Sequence, residues 1–233
     1  MQFLNNYRIT INLSLSIALL YFVFGTVPEA LYFNAEQITR GELWRYMTGH
    51  LVHSDTQHLI LNLAVFIILS ALIEQHSRLL LFTALFTGIV FINLYLFSSN
   101  EVINYAGLSG VLNTLLIMAL YQQWQLHTKP LSLTGCFSTS IYLISSAKIM
   151  YKLYTRDSLF SHTLWPSLPQ AHLVGFIAGT ILVLLIHFLI FLSYLHSPLT
   201  IAAGMVLPAN RGELHKIPVY GQRLLLQTGH NPA

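Results

Sequence analysis

Tyr105-Ala106-Gly107-Leu108-Ser109-Gly110-Val111-Leu112 opens a segment, 102–128, that contains no Asp, Glu, Lys or Arg. A second such run, 158–210, has an apolar centre at 171–195 that begins Ala171-His172-Leu173-Val174-Gly175. Polar and ionisable groups at membrane depth are expensive and mark function more often than accident. A serine at the mouth of one apolar segment and a histidine at the mouth of another form a candidate nucleophile and base.

Working outward, the same pattern repeats. Stretches 9–28, 56–73, 79–100 and 130–147 are also free of charge. Of the 233 residues, 55% are hydrophobic and 8% charged, against about 25% charged in soluble domains. A spanning helix needs roughly 20 apolar residues. The sequence therefore predicts an all-α membrane protein with six transmembrane helices, with cores near 9–27, 57–74, 78–98, 107–126, 132–152 and 170–195. The first is expected to be an uncleaved helix, since Phe24-Gly25-Thr26-Val27-Pro28 has no small-x-small cleavage site. Loop charges divide six against five and favour an N-terminus on the cytoplasmic side only weakly. Residues 1–196 are expected to form the membrane domain, and 197–233 a tail with no chemistry assigned.

The net charge of +3 carries no nucleic-acid signal. The single cysteine, Cys136, excludes an intrachain disulfide and a zinc site built on cysteines. The eleven histidines show no metal-ligand spacing. No cofactor or metal is expected. His76, His127, His187 and His196 read as interior or interfacial residues.

Residues 28–57 are long for a connection in a compact membrane protein, and such loops usually have structure or a task of their own. The loop contains Glu42-Leu43-Trp44-Arg45-Tyr46-Met47-Thr48-Gly49-His50-Leu51-Val52-His53. Trp44 and Tyr46 suit an interface. Arg45 is positioned to pair with Glu42 or to bond loop carbonyls. Next comes Ser54-Asp55-Thr56-Gln57-His58, with Asn62 four residues beyond His58 and so on the same helix face. Such polar side chains glue helices together. They are also the pair of donors that an oxyanion site requires.

Serine becomes a nucleophile only when a base removes its proton, and histidine is the usual base near neutral pH. A lone membrane serine is most often a packing residue, here in the small-residue face Ala106-x-x-x-Gly110. Val111 stands where the nucleophile elbow of soluble hydrolases has glycine. His172 is followed by Gly175 and Gly179 on one face, which permits backbone-to-backbone packing. If the partner is the helix at Gly110, that packing carries the His172 ring toward Ser109.

The ordered set resembles the rhomboid intramembrane serine proteases. It comprises Trp44-Arg45, His53 with His58-x-x-x-Asn62, Gly107-Leu108-Ser109-Gly110, His172, and the Gly175/Gly179 spacing. The resemblance implies a six-helix rhomboid-like bundle with a water-filled cavity reached from the extracytoplasmic side. It implies Ser109 as nucleophile and His172 as base, with no carboxylate third member. His58, Asn62 and the Ser109 N–H would stabilise the oxyanion, and Trp44 and Arg45 would be structural. His53, Gly107 and Gly110 would support the site.

Within the family, Thr48-Gly49-His50-Leu51-Val52-His53 and Gly107-Leu108-Ser109-Gly110-Val111-Leu112 are most similar to the rhombosortases. That subgroup implies a bacterial inner-membrane enzyme, with substrates that are exported single-span proteins bearing C-terminal Gly-Gly anchors. One position departs from the pattern. Four residues after the serine, where the family has an aromatic residue or histidine, stands Asn113, which could bond His172 or lie in the packing. Two other classes compete. A non-catalytic rhomboid-like binder of transmembrane segments is opposed by the presence of both Ser109 and His172. A transporter is opposed by the lack of internal repeats and intramembrane carboxylates.

Overall fold

The computed structural model describes residues 6–99, 104–126, 133–155 and 168–203. The elements in chain order are α1 (Arg8–Phe24), β1 (Phe33–Asn34), α2 (Ala35–Thr39), α3 (Arg45–Thr48), α4 (Thr56–Glu74), α5 (Arg78–Ser98), β2 (Asn104–Tyr105), α6 (Ser109–Leu126), α7 (Leu133–Thr155) and α8 (Pro169–Ala203). Each of the six expected spans contains one long helix. Among the described residues, three stretches are long and apolar enough to cross a membrane, namely Thr56–Glu74, Arg78–Ser98 and Pro169–Ser193. Helix α1, with 17 residues, is a shorter apolar helix.

The helix boundaries follow from local chemistry. Asp55 caps α4 by accepting from the His58 N–H, and Ser77 caps α5 by accepting from the Leu80 N–H. Gly25, at φ 77°, ends α1. Pro169 occupies the first position of α8, where its missing N–H costs nothing.

Residues Met1–His187 form one compact unit. Within it α6 is the central helix and packs on α4, α5 and α7. Ile17, Phe66, Ile73, Leu81, Ile92, Leu96, Leu115 and Met118 are buried there. Leu19, Ile60, Ile68, Phe82, Leu94 and Phe137 point outward. A helix apolar on every side suits lipid, where the backbone bonds close internally and side chains need no water. Residues Phe188–Ala233 form a second unit, described as helix to Ala203. Most of the expected tail, 204–233, lies outside the described residues, as do His127 and the side chain of His196.

The long loop is built rather than loose. It contains α2, α3 and a two-residue strand. Phe33 and Asn34 of β1 pair antiparallel with Tyr105 and Asn104 of β2, a departure from an all-helical reading. The Asn34 side-chain amide also donates to Asn104 Oδ1 at 2.8 Å. This ladder ties the loop to the chain just before Ser109.

Candidate active site

Gly107 adopts φ 129°, a conformation that favours glycine. A Cβ there would stand 3.1 Å from His58 Cε1 and 3.5 Å from His58 Nε2, so the imidazole edge lies directly on this turn. The turn is held from two sides. The Gly107 N–H donates to Gly49 O at 2.9 Å, and the Tyr105 hydroxyl donates to Gly107 O at 2.8 Å. Burial pushes the Tyr105 hydroxyl pKa up, so it remains a donor.

Ser109 then starts α6 at the helix end whose N–H groups lack intrahelical acceptors. Its Oγ is 3.3 Å from His172 Nε2. The approach is set by glycine packing. A Cβ on Gly175 would fall 2.0 Å from the Gly110 carbonyl oxygen, and one on Gly179 2.9 Å from Ile117 Cβ. Thr114 Oγ1 donates to Gly175 O at 2.7 Å and locks the two helices in register. His172, one turn before Gly175, is thereby carried to Ser109.

Asn113 joins both residues. Its Nδ2 donates to Ser109 O at 2.8 Å and lies 3.2 Å from His172 Nδ1. Because an amide nitrogen only donates, Nδ1 is the acceptor in this arrangement. The neutral ring then carries its proton on Nε2, facing Ser109. For His172 to accept the Ser109 proton, its own must move to Nδ1, a form bonded once the Asn113 oxygen turns toward it.

Asn62 is buried, and its Nδ2 has no hydrogen-bond partner among the described residues. His58, one turn earlier, is half-buried, and its Nδ1 lies 3.2 Å from Ser54 Oγ. His53 is fully buried, with Nδ1 3.1 Å from Leu51 O. That carbonyl can only accept, so Nδ1 carries the proton and the neutral ring presents a bare Nε2. Burial first, then the neighbouring His58, lower the His53 pKa to about 4, against smaller raising effects from Leu51 O and Asp55.

The loop motif is structural in its contacts. The buried Arg45 donates from Nε to Glu42 at 2.7 Å, and from NH1 to Glu29 O and Tyr32 O at 2.7 and 2.8 Å. Pairing with Glu42 and bonding loop carbonyls thus occur together. Trp44 is 51% exposed and donates from its indole to Ala30 O at 3.0 Å.

Several contributors escape a linear reading. His50 is buried, with Nε2 3.3 Å from Asn93 Oδ1, and its ring stacks edge-on to Tyr105 at 5.5 Å. Burial lowers its pKa to about 4, opposed by the Asn93 bond. Ser54 and Asp55 are bonded to each other and to His58. The histidines in the Thr48–His53 run and the N-cap position of Asp55 were the available signals. A separate cavity of about 340 Å³ between α6, α7 and α8 is lined by Tyr121, Trp124, Tyr142 and His187 and does not reach Ser109.

This is a helical protein with a Ser–His contact at the mouths of two packed helices. The rhomboid domain model matches residues 40–188, well over half of the chain, and the protein belongs to the rhomboid domain family. Members are generally serine proteases that act within the membrane, and the chain is an integral membrane protein. No curated protein matches the chain.

Proposed function

We propose that this protein is an intramembrane serine endopeptidase in which Ser109 attacks and His172 is the base. One observation carries the reading: the 3.3 Å Ser109 Oγ–His172 Nε2 contact, with Asn113 on the opposite ring nitrogen. The chain crosses the bilayer six times, residues 1–196 being the catalytic domain and 197–233 an appended tail.

In the reaction, once the His172 ring proton has moved to Nδ1 and is held there by the Asn113 oxygen, Ser109 Oγ bonds to the scissile carbonyl carbon as its proton passes to the bare His172 Nε2. The carbonyl electrons move onto oxygen. The Ser109 N–H, the unpaired Asn62 Nδ2 and His58 receive that oxyanion. Collapse breaks the C–N bond, and His172 returns the proton to the leaving amine. Water, activated by the same ring, then hydrolyses the acyl-enzyme.

The substrate class is an exported single-span protein cut near the extracytoplasmic membrane surface. The run Thr48–His53 and the sequence around Ser109 support a rhombosortase-like preference for C-terminal Gly-Gly anchors in a bacterial inner membrane. A helical backbone must unwind to enter the site, and glycine disfavours helix by about 1 kcal/mol relative to Ala. The test is cleavage of a Gly-Gly anchored single-span protein in liposomes, read by mass spectrometry of the new C-terminus. Native protein should cut and Ser109→Ala should not. Cleavage by Ser109→Ala would end the assignment. An uncut Gly-Gly anchor beside a cut control anchor would end only the rhombosortase part.

A further inference from the structure

The hydroxyl of Ser54 lies between two acceptor-capable groups and has a single proton. Ser54 Oγ is 2.8 Å from Asp55 Oδ2 and 3.2 Å from His58 Nδ1. Ser54 is buried, while Asp55 and His58 are half-buried. Asp55 Oδ1 is already engaged, accepting from the His58 backbone N–H at 2.7 Å. If the hydroxyl proton went to His58, the Ser54 oxygen would face an ionised carboxylate oxygen at 2.8 Å with no proton between them. The proton therefore belongs to Asp55. His58 Nδ1 must then be the donor to Ser54 Oγ, and the chain runs from imidazole to hydroxyl to carboxylate.

This fixes what the other nitrogen can do. A neutral His58 with its proton on Nδ1 has a bare Nε2, and a bare nitrogen cannot donate to an oxyanion. The Cε1–Nε2 edge is the one that lies against the Gly107 turn, two residues before Ser109. Resting on the assignment of His58 to the oxyanion site, we propose that Asp55 and Ser54 are positioning residues. They hold His58 so that it serves the oxyanion as a doubly protonated imidazolium, with the Asp55 carboxylate as its counter-charge across one hydroxyl.

Among the described residues, the titratable groups near His58 include the following. Asp55 acts through Ser54, and the His53 ring centroid is 5.2 Å away. Across the Gly107 turn stand Tyr105 and, on α6 and α8, the Ser109–His172 pair. From α1, Tyr21 bonds Thr56 at the start of α4. Glu74, at the far end of α4, faces Arg78 at the start of α5. His53 stays neutral above about pH 4, so Asp55 is the charge that matters.

The relay makes an unusual prediction for Asp55→Asn. The new side chain keeps the oxygen that caps α4 but presents NH₂ to Ser54. The hydroxyl proton is redirected onto His58 Nδ1, and the neutral ring then carries its proton on Nε2. The experiment is the kcat profile of native protein, Asp55→Asn and Ser54→Ala in liposomes, over about pH 6 to 9, a range in which histidine commonly titrates. Native kcat should fall at least about tenfold on the alkaline side, approaching the loss of one oxyanion donor. Asp55→Asn should have a lower maximum but little alkaline fall, with KM unchanged. Ser54→Ala should also lose the native profile, and Ser54→Thr, which keeps the hydroxyl, should restore it. If Asp55→Asn does not fold, the Ser54→Ala and Ser54→Thr pair decides. Superimposable profiles in all folded variants, with Ser109→Ala inactive, would overturn the relay and leave the protease reading intact. Activity in Ser109→Ala would overturn both.

Discussion

The two ends of α4 carry buried polar clusters of opposite character. At its C-terminal end Glu74, with a fully buried side chain, accepts from the Ile9 N–H at 2.9 Å and from the Thr10 N–H and hydroxyl at 2.8 Å each. Arg78 lies 3.7 Å away. Both Glu74 oxygens are engaged, and the carboxylate satisfies the N-terminus of α1, as the helix dipole favours, while Ser70 Oγ one turn earlier is buried without a partner among the described residues. At the N-terminal end, Asn62 Nδ2 and His53 Nε2 are buried and have no partner among the described residues. Closed polar clusters are structure. A buried polar atom left open costs about 1–3 kcal/mol, and a fold retains that cost where a reaction needs the atom, as the proposed oxyanion site needs the Asn62 donor. The difference contrasts a tie between helices with the proposed site, within one helix.

The largest losses are expected at Ser109 and His172. Ser109→Ala and His172→Ala should each lower kcat by a factor on the order of 10⁴ or more, with the double variant hardly worse, because members of a catalytic unit are not additive. Liposome cleavage kinetics check this. Independent, multiplying losses would show that the two do not act together.

Next is Asn62→Ala, expected to reduce kcat by about 10²–10³ while stability stays near native, since its amide nitrogen bonds nothing among the described residues. Kinetics paired with unfolding in detergent decide. Normal turnover in a destabilised protein would make Asn62 a packing residue.

Glu74→Ala should do the opposite. It strands two backbone N–H groups and a hydroxyl, and should cost roughly 2–4 kcal/mol of stability, with the folded fraction turning over near the native rate. An unaffected unfolding midpoint with lost activity would erase the contrast between the two ends.

The smallest effect is a pH dependence of stability from His50 and His53. Their pKa values fall from 6.5 to about 4 on folding. The unfolded chain then binds more protons between those values. Their contribution to stability is full above pH 6.5, is lost as pH falls toward about 4, and levels off below. Unfolding midpoints across this range should show the loss, and His50→Phe should reduce it.

The long helices were legible because lipid imposes a length and bars charge, and both are visible in a linear chain. The proximity of Ser109 and His172 was legible through Gly175, whose missing side chain makes sense only against Gly110. Arg45 was legible in both of its roles. The rest depends on distant partners. A ladder of two residues, Phe33–Asn34 on Asn104–Tyr105, is too short for any periodic signal. Glu74 reads as a charge at the end of an apolar run, because its partners Ile9 and Thr10 lie 65 and 64 positions away. His50 likewise finds Asn93 across 43 positions. Asp55 was readable as a cap, but Ser54 acquires meaning only when its distances to both Asp55 and His58 are known. Six crossings could be drawn from charge-free lengths, yet among the described residues three stretches meet both length and apolarity. α7 carries Lys148 and Lys152, and α6 carries Asn113, Thr114 and three Gln.

In the proposed mechanism Ser109 is a nucleophile activated by His172. The most direct measurement is labelling of the detergent-solubilised protein by a serine-reactive fluorophosphonate, with the modified residue located by peptide mass spectrometry. The native chain should be labelled at Ser109, Ser109→Ala should not be labelled, and His172→Ala should label at a rate lower by a factor on the order of 10² or more, as for loss of a general base. Equal labelling of native protein and Ser109→Ala, or native labelling that is indifferent to His172, would contradict it.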